Sequence, residues 1–160
     1  MIVVVRGELA HARTRAVLRP VTAEWGAPTP AMRRLEIAAG SVVEDHCQRL
    51  GELPVGSAVV TAAGELSAEL IIHAVVRSAG EPVTARGVGL ALRNGLRRAA
   101  EWGIDSLALP PLGTGAGNLD PEEVAALMVP ILAGASPALI EIHVESEYEQ
   151  EVFERQVAAL

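Results

Sequence analysis

A glycine-rich segment late in the chain, residues 106–121, has the residue types of an anion-binding loop. An apolar run at residues 107–109 indicates a buried strand, and Gly113, Gly115 and Gly117 follow it at alternate positions. Because glycine lacks a Cβ atom, such a loop can turn tightly and point its backbone N–H groups outward. A strand, an amide-lined loop and a helix in this order are what α/β proteins use to hold an anion such as phosphate.

The residues around the glycines narrow this interpretation. Asp120 is suited to cap a helix and Pro121 to occupy its first position. No lysine follows the glycines, so the segment is not a Walker A loop, and its G-x-G-x-G spacing differs from the dinucleotide-binding fingerprint. Taken alone, the segment is equally compatible with a phosphate loop and with a tight connection that binds nothing.

Composition limits the class of protein. The chain has 160 residues, half of them hydrophobic, which predicts one folded domain spanning residues 1–160. With 20 acidic and 13 basic residues, its net charge of -7 argues against a nucleic-acid partner. The single cysteine, Cys47, cannot form an internal disulfide, and no apolar run approaches membrane-spanning length. We therefore expect a cytoplasmic protein with no membrane partner; an acidic domain with an aliphatic surface helix is also compatible with a homodimer.

Strand-like and helix-like segments alternate along the chain. The predicted strands are residues 2–5, 16–21, 56–61, 70–76, 107–109 and 138–145. The predicted helices are residues 31–50, broken near Gly40, then 84–102, 120–133 and 147–160. This alternation predicts a three-layer α/β/α sandwich.

Several segments resemble the macro domain, the ADP-ribose-binding α/β module. Residues 110–117, Pro-Pro-Leu-Gly-Thr-Gly-Ala-Gly, are similar to that family's second phosphate loop. Residues 61–66 and 70–73 resemble the end of its third strand and its fourth strand. Residues 7–40 can be aligned without a gap with its first ligand segment, with residues 7–9 where the family usually has Gly-Asp-Ile. The resemblance implies a central, mostly parallel mixed sheet of about six strands. It also implies that the chain binds ADP-ribose or a related nucleotide diphosphate.

The resemblance implies a set of ligand-binding residues. Glu8 stands where the family has an aspartate that holds the adenine amino group, and Thr22 stands where it has an asparagine that contacts the distal ribose. The phosphates are expected at the glycine-rich loop. The implied ligand-binding residues are Glu8, Leu9, Thr22, Leu112, Gly113, Thr114, Gly115, Ala116, Gly117 and Asn118.

The first ligand loop departs from the family pattern. Residues 27–31, Ala-Pro-Thr-Pro-Ala, replace a run of glycines, and Pro28 and Pro30 have no N–H to donate. Losing two hydrogen bonds to a charged group weakens binding by up to roughly 3–6 kcal/mol. The leading hypothesis is therefore a binding module without efficient hydrolysis. The alternatives are an ADP-ribosyl hydrolase or ADP-ribose phosphoester phosphatase, and a divergent fold that serves another ligand or assembly.

Neither a catalytic group nor a cofactor is predicted, and the histidines and the cysteine lack metal-ligand spacing. His73, within an apolar strand, is expected to be a core residue hydrogen-bonded to backbone, and His143 to lie on the surface. Cys47 is expected to pack as a small core side chain. Trp25 either covers a ligand or fills the space left by the missing glycines, and filling is favoured.

Overall fold

The computed structural model describes residues 1–115 and 119–160 as a six-stranded sheet with helices on both faces. The strands are β1 (Ile2–Arg6), β2 (Ala16–Thr22), β3 (Ala58–Ala62), β4 (Leu70–Arg77), β5 (Ser106–Leu109) and β6 (Leu139–Val144). The helices are α1 (Pro30–Ala39), α2 (Ser41–Leu50), α3 (Ala85–Glu101), α4 (Pro121–Ala133) and α5 (Glu147–Ala158), with a short 3-10 helix at Leu9–His11.

The strand order, β1-β6-β5-β2-β4-β3, confirms the mixed, mostly parallel sheet expected from the sequence. Only β3, at one edge of the described sheet, runs antiparallel to its neighbour β4. The other five strands are parallel, so their carboxyl ends meet at the same edge. In open α/β sheets this edge is where ligands bind.

Two hydrophobic clusters fill the layers above and below the sheet. Leu18, Ile72 and Ile142 point to one side and pack with residues of α3, α4 and α5. Val17 and Ile71 point to the other side and pack with residues of α1 and α2. Neighbouring strand residues thus pack into opposite cores, which is why β4 is almost continuously apolar. The three-layer sandwich is confirmed.

Most predicted elements are found, with shifted ends. The helix predicted over residues 31–50 is two helices, α1 and α2, which meet at Gly40, where φ is 96°. β3 begins at Ala58 rather than residue 56, because Gly56 has a φ of 96° and its N–H bonds to Val75 O instead. β6 ends at Val144, one residue before the predicted end.

The close contact between α3 and the sheet depends on Gly95. A Cβ atom at this position would lie 2.5 Å from Leu18 Cδ1, and Leu18 is fully buried. Gly89, on the same helix and also buried, leaves room: its Cβ would meet Leu127 Cδ1 at 3.6 Å, an ordinary contact. The two glycines therefore form a matched pair.

We expect Gly95→Ala to destabilise the protein relative to Gly89→Ala by about 1–3 kcal/mol, the usual cost of overpacking a core. Both variants gain helix propensity, up to about 1 kcal/mol, so that gain cancels in the comparison. Urea unfolding of the two variants and the wild type measures the difference. Equal stability of the two variants would show that the Leu18 side chain moves aside without a loss of unfolding free energy.

Candidate functional site

A cleft of about 310 Å³ opens at the carboxyl ends of the parallel strands. One side is formed by the 3-10 helix and the start of α1, the other by the loop after β5 and the end of β6. Its described lining residues are Gly7, Glu8, Leu9, Ala10, Pro20, Pro28, Thr29, Pro30, Ala31, Met32, Arg34, Val76, Val83, Pro110, Pro111, Gly113, Thr114, Gly115, His143, Glu145 and Glu149. The cleft thus brings together Glu8, Leu9, Gly113, Thr114 and Gly115 of the residues predicted from the sequence.

The loop after β5 has the backbone geometry that the glycines allow. Gly113 and Gly115 have φ values of 85° and 116°, in the left-handed region where other residues are strained. The loop is closed by Leu119 N, which donates to Gly113 O at 2.9 Å. Across the two described segments, the amides of Gly113, Thr114 and Gly115 donate to no backbone carbonyl. They belong to residues that line the cleft, and no carbonyl of the described residues competes for them.

The other ligand-binding residues predicted in this loop are not among the described residues that line the cleft. Leu112 is fully buried, does not line the cleft, and its N–H donates to Met128 Sδ at 3.3 Å. Its amide is therefore directed at Met128 of α4. Ala116, Gly117 and Asn118 lie outside the described residues. Their phosphate contacts stay predictions.

Thr22 lies away from the cleft. Its hydroxyl accepts a hydrogen bond from Gly26 N at 2.7 Å and so stabilises the turn after β2. Thr22 lines a separate shallow depression with Arg77 and Ser78. The predicted contact of Thr22 with a distal ribose stays a prediction.

Trp25 fills space beneath the first loop and does not cover the cleft. Its side chain is buried, and its indole N–H donates to Gly51 O at 2.7 Å. Pro30 occupies the first position of α1, and Thr29 caps the helix by accepting from Met32 N at 3.3 Å. The wall of the cleft formed by residues 28–30 therefore presents two prolines without an N–H, and the N–H of Met32 is used by the cap.

The opposite end of the cleft is acidic. Arg34, on α1, forms ion pairs with both Glu8 and Glu145. The hydrogen bond that Arg34 donates to Glu8, reinforced by the charge of Glu145, holds the pKa of the Arg34 guanidinium above its ordinary value. Arg34 is the one permanent cation among the described lining residues, against the carboxylates of Glu8, Glu145 and Glu149. A hydrogen-bond donor is better suited to this end than a phosphate.

His143 is buried, and its predicted surface position was wrong. The alternation of β6 does place Ile140 and Ile142 in one core, as expected. The opposite face is not solvent, however, because β6 lies between β1 and β5 and borders the cleft. The His143 side chain is 6% exposed, and Nε2 lies 2.9 Å from Glu141 Oε1.

Comparisons with known proteins identify the fold and the family. A family model described as Macro domain matches residues 32–128. The chain belongs to the macro domain family. A protein from Aeropyrum pernix is 36% identical over 138 residues, which cover 84% of this chain and 73% of that protein.

Two further relatives carry informative names. The O-acetyl-ADP-ribose deacetylase of Klebsiella pneumoniae is 37% identical over 98 residues, 58% of this chain and 56% of that protein. A variant of the Oceanobacillus iheyensis macrodomain, solved with ADPR, has a TM-score of 0.86 at 19% identity and covers 98% of this chain and 91% of its own. At that identity the likeness concerns the fold alone.

The residues that the structure describes also bear on metal binding and on membrane crossing. No group of three or more His, Cys, Asp or Glu side chains there is placed to hold a metal ion. Among those same residues, no helix combines the length and the apolar character needed to cross a membrane.

A buried polar network lies between β2, β4 and α1 of the macro domain. Arg19 Nε donates to His73 Nδ1 at 2.8 Å. His73 Nε2 must therefore carry the ring proton, and it donates to Thr61 Oγ1, also at 2.8 Å. The guanidinium of Arg19 also donates to Glu36 Oε1 at 3.0 Å. His73 is a core residue as predicted, but its partners are side chains rather than backbone.

The surroundings of His73 keep it neutral. Burial first, then the positive charge of Arg19 and a smaller effect of His46, hold the pKa of His73 well below its ordinary value. Burial likewise raises the pKa of the Cys47 thiol, which packs in this core as expected. The network is satisfied, so it has a structural role.

Stability should fall in acid because of His73. In the unfolded chain its pKa is about 6.5, so below that pH the unfolded state binds a proton. His73 in the native state stays neutral and does not bind it, which favours unfolding. Between pH 7.5 and pH 5.0 this costs the wild type about 2 kcal/mol of unfolding free energy.

The variant to compare is His73→Gln, which removes the titrating ring. Its unfolding free energy should fall by about 2 kcal/mol less than that of the wild type between pH 7.5 and pH 5.0. His11→Gln, at an exposed histidine, should keep the wild-type pH dependence. Urea unfolding at the two pH values measures each free energy. A His73→Gln variant with the wild-type pH dependence would contradict the assignment.

Proposed function

We propose that the cleft binds ADP-ribose or a related nucleotide diphosphate, with the phosphates at the loop after β5. One observation carries the proposal: Gly113 and Gly115 hold the loop in left-handed conformations, and the loop amides that line the cleft have no carbonyl partner in the described chain. Oriented N–H groups of this kind bind anions. Membership of the macro domain family and the relative solved with ADPR support the choice of nucleotide.

The charges of the cleft orient the ligand in this proposal. Phosphate oxygens accept hydrogen bonds, so they belong at residues 113–115 and, by extension, at the neighbouring residues 116–118. The base and its ribose carry donors and belong at the acidic end, near Glu8 and Leu9. Glu8 accepts from Arg34 through one oxygen and so has acceptor capacity left for an adenine amino group.

The first loop supports binding without efficient hydrolysis. Pro28 and Pro30 line the cleft where amide donors would otherwise hold the phosphates and position water. The carboxylates near this loop are engaged: Glu36 pairs with Arg19, and Glu24 accepts from Ala79 N at 2.8 Å. That hydrogen bond from Ala79 lowers the pKa of Glu24. Neither group is poised to act as a general acid.

Ester hydrolysis is the second candidate, because the Klebsiella pneumoniae relative is named O-acetyl-ADP-ribose deacetylase. The two candidates differ in a direct assay. We expect the wild type to bind O-acetyl-ADP-ribose and to release acetate no faster than Gly115→Ala, as followed by chromatography. Faster release by the wild type would favour the enzyme.

Binding itself is tested by calorimetry with Gly115→Ala, because Ala at a φ of 116° is strained and moves the loop amides. Hydrogen bonds to a charged group contribute about 1.5–3 kcal/mol each, so the Kd for ADP-ribose should rise roughly 10- to 100-fold. Adenosine, which lacks phosphate, should bind both proteins equally.

Gly80→Ala is the matched control. Gly80 does not line the cleft, and a Cβ atom there meets nothing within 4 Å. It should bind ADP-ribose as the wild type does. The proposal fails if the wild type gives no binding heat with millimolar ADP-ribose, or if Gly115→Ala binds ADP-ribose unchanged.

A further inference from the structure

His143 is a buried histidine with one nitrogen unaccounted for. It lies near the carboxyl end of β6, opposite Val5 of β1, and it lines the cleft. Nε2 is paired with Glu141, but Nδ1 has no hydrogen-bond partner anywhere in residues 1–115 and 119–160. A buried polar atom without a partner is costly, so Nδ1 calls for a group that the described chain does not supply.

The partner of Nε2 decides what kind of group that is. A carboxylate can only accept hydrogen bonds, so the ring proton of a neutral His143 is on Nε2, facing Glu141 Oε1 at 2.9 Å. Nδ1 then presents a lone pair and is an acceptor. Its missing partner is a donor, an N–H or an O–H, and not a phosphate or carboxylate oxygen.

The neighbouring side chains do not provide that donor. Arg34, the permanent cation of the cleft, is engaged by Glu8 and Glu145. The remaining charged group at this end, Glu149, is a carboxylate whose Oε1 accepts from Glu145 N at 3.3 Å. Among residues 1–115 and 119–160 no side chain supplies the donor, and an N–H or O–H group of a ligand in the cleft is of the right kind.

We propose that His143 is a ligand-contacting residue that accepts at Nδ1 a hydrogen bond from an N–H or O–H group of the bound nucleotide, with Glu141 as the positioning residue that fixes its tautomer. This inference rests on the proposed nucleotide-binding function and names the chemistry of its second contact. The loop amides at residues 113–115 bind a hydrogen-bond acceptor of the ligand, and His143 binds a hydrogen-bond donor of the same ligand.

The test is calorimetry at pH 8.0, where imidazoles are ordinarily neutral, on the wild type and His143→Phe. Phe keeps an aromatic ring but removes the acceptor, so the affinity for the ligand that carries the donor should fall roughly 3- to 10-fold, as for one lost hydrogen bond. His46→Phe, at an exposed position on α2 outside the cleft lining, is the matched control and should bind unchanged.

Four ligands locate the donor. If His143→Phe loses affinity for ADP-ribose alone, and not for ADP or AMP, the donor is on the distal ribose. If it loses affinity for AMP but not for IMP, which has an oxo group in place of the amino group, the donor is on the base. If it loses equal affinity for AMP and IMP, the donor is on the adenosine ribose. If His143→Phe binds all four ligands like the wild type, the partner of Nδ1 is water only and the inference is overturned.

A measurement on the wild type covers the case in which His143→Phe does not fold. In ¹⁵N-labelled protein, the imidazole nitrogens of His143 should show the Nε2–H tautomer, and the Nδ1 resonance should shift as ADP-ribose saturates the cleft. An Nδ1 resonance that stays unchanged at saturation overturns the inference while leaving nucleotide binding intact. A wild type that does not bind ADP-ribose at all refutes the proposed function instead.

Discussion

The shape of the cleft depends on one buried ion pair, between Arg19 of β2 and Glu36 of α1. Both side chains are almost completely enclosed, and Glu36 also accepts from Arg33 through its second oxygen. Breaking a buried pair by removing one partner costs about 3–5 kcal/mol, because the other charge is left uncompensated. The pair joins α1 to the sheet at a point where the buried side chains of Met32, Leu35 and Ala39 also pack. The start of α1 and Arg34 form one wall of the cleft, so the position of that wall depends on the pair between Arg19 and Glu36.

The prolines of the first loop change what that wall can do. Pro30 lets α1 begin at the cleft without a spare N–H, and Thr29 takes up the amide of Met32. Under the proposed function, the hydrogen bonds to phosphate come mainly from the opposite wall, at the left-handed glycines after β5. On the same proposal, the two prolines remove donors that would help to fix a water molecule for attack.

Much of the fold could be predicted from the sequence, because periodicity and glycine positions report local structure directly. The strands, the break at Gly40 and the left-handed Gly113 and Gly115 are local features of this kind. The errors came from contacts between distant residues. Arg34 was not identified as a cleft residue because its partner Glu145 lies 111 positions away. Leu112 was assigned to the ligand from its place in the loop; its amide donates to Met128, a contact not visible in the sequence, and its role toward a ligand stays a prediction.

The two buried histidines show why burial alone does not reveal a function. His73 donates to Thr61 and accepts from Arg19, so both of its nitrogens are satisfied within the fold and nothing remains for a ligand. His143 is almost as deeply buried, yet only its Nε2 is satisfied, and the other nitrogen belongs to a residue that lines the cleft. The sequence separates the two in the wrong way, because the alternation of His143 with Glu141 and Glu145 indicates an exposed face that the fold in fact covers. What separates a structural histidine from one available to a ligand is the number of hydrogen bonds that the folded chain leaves unmade.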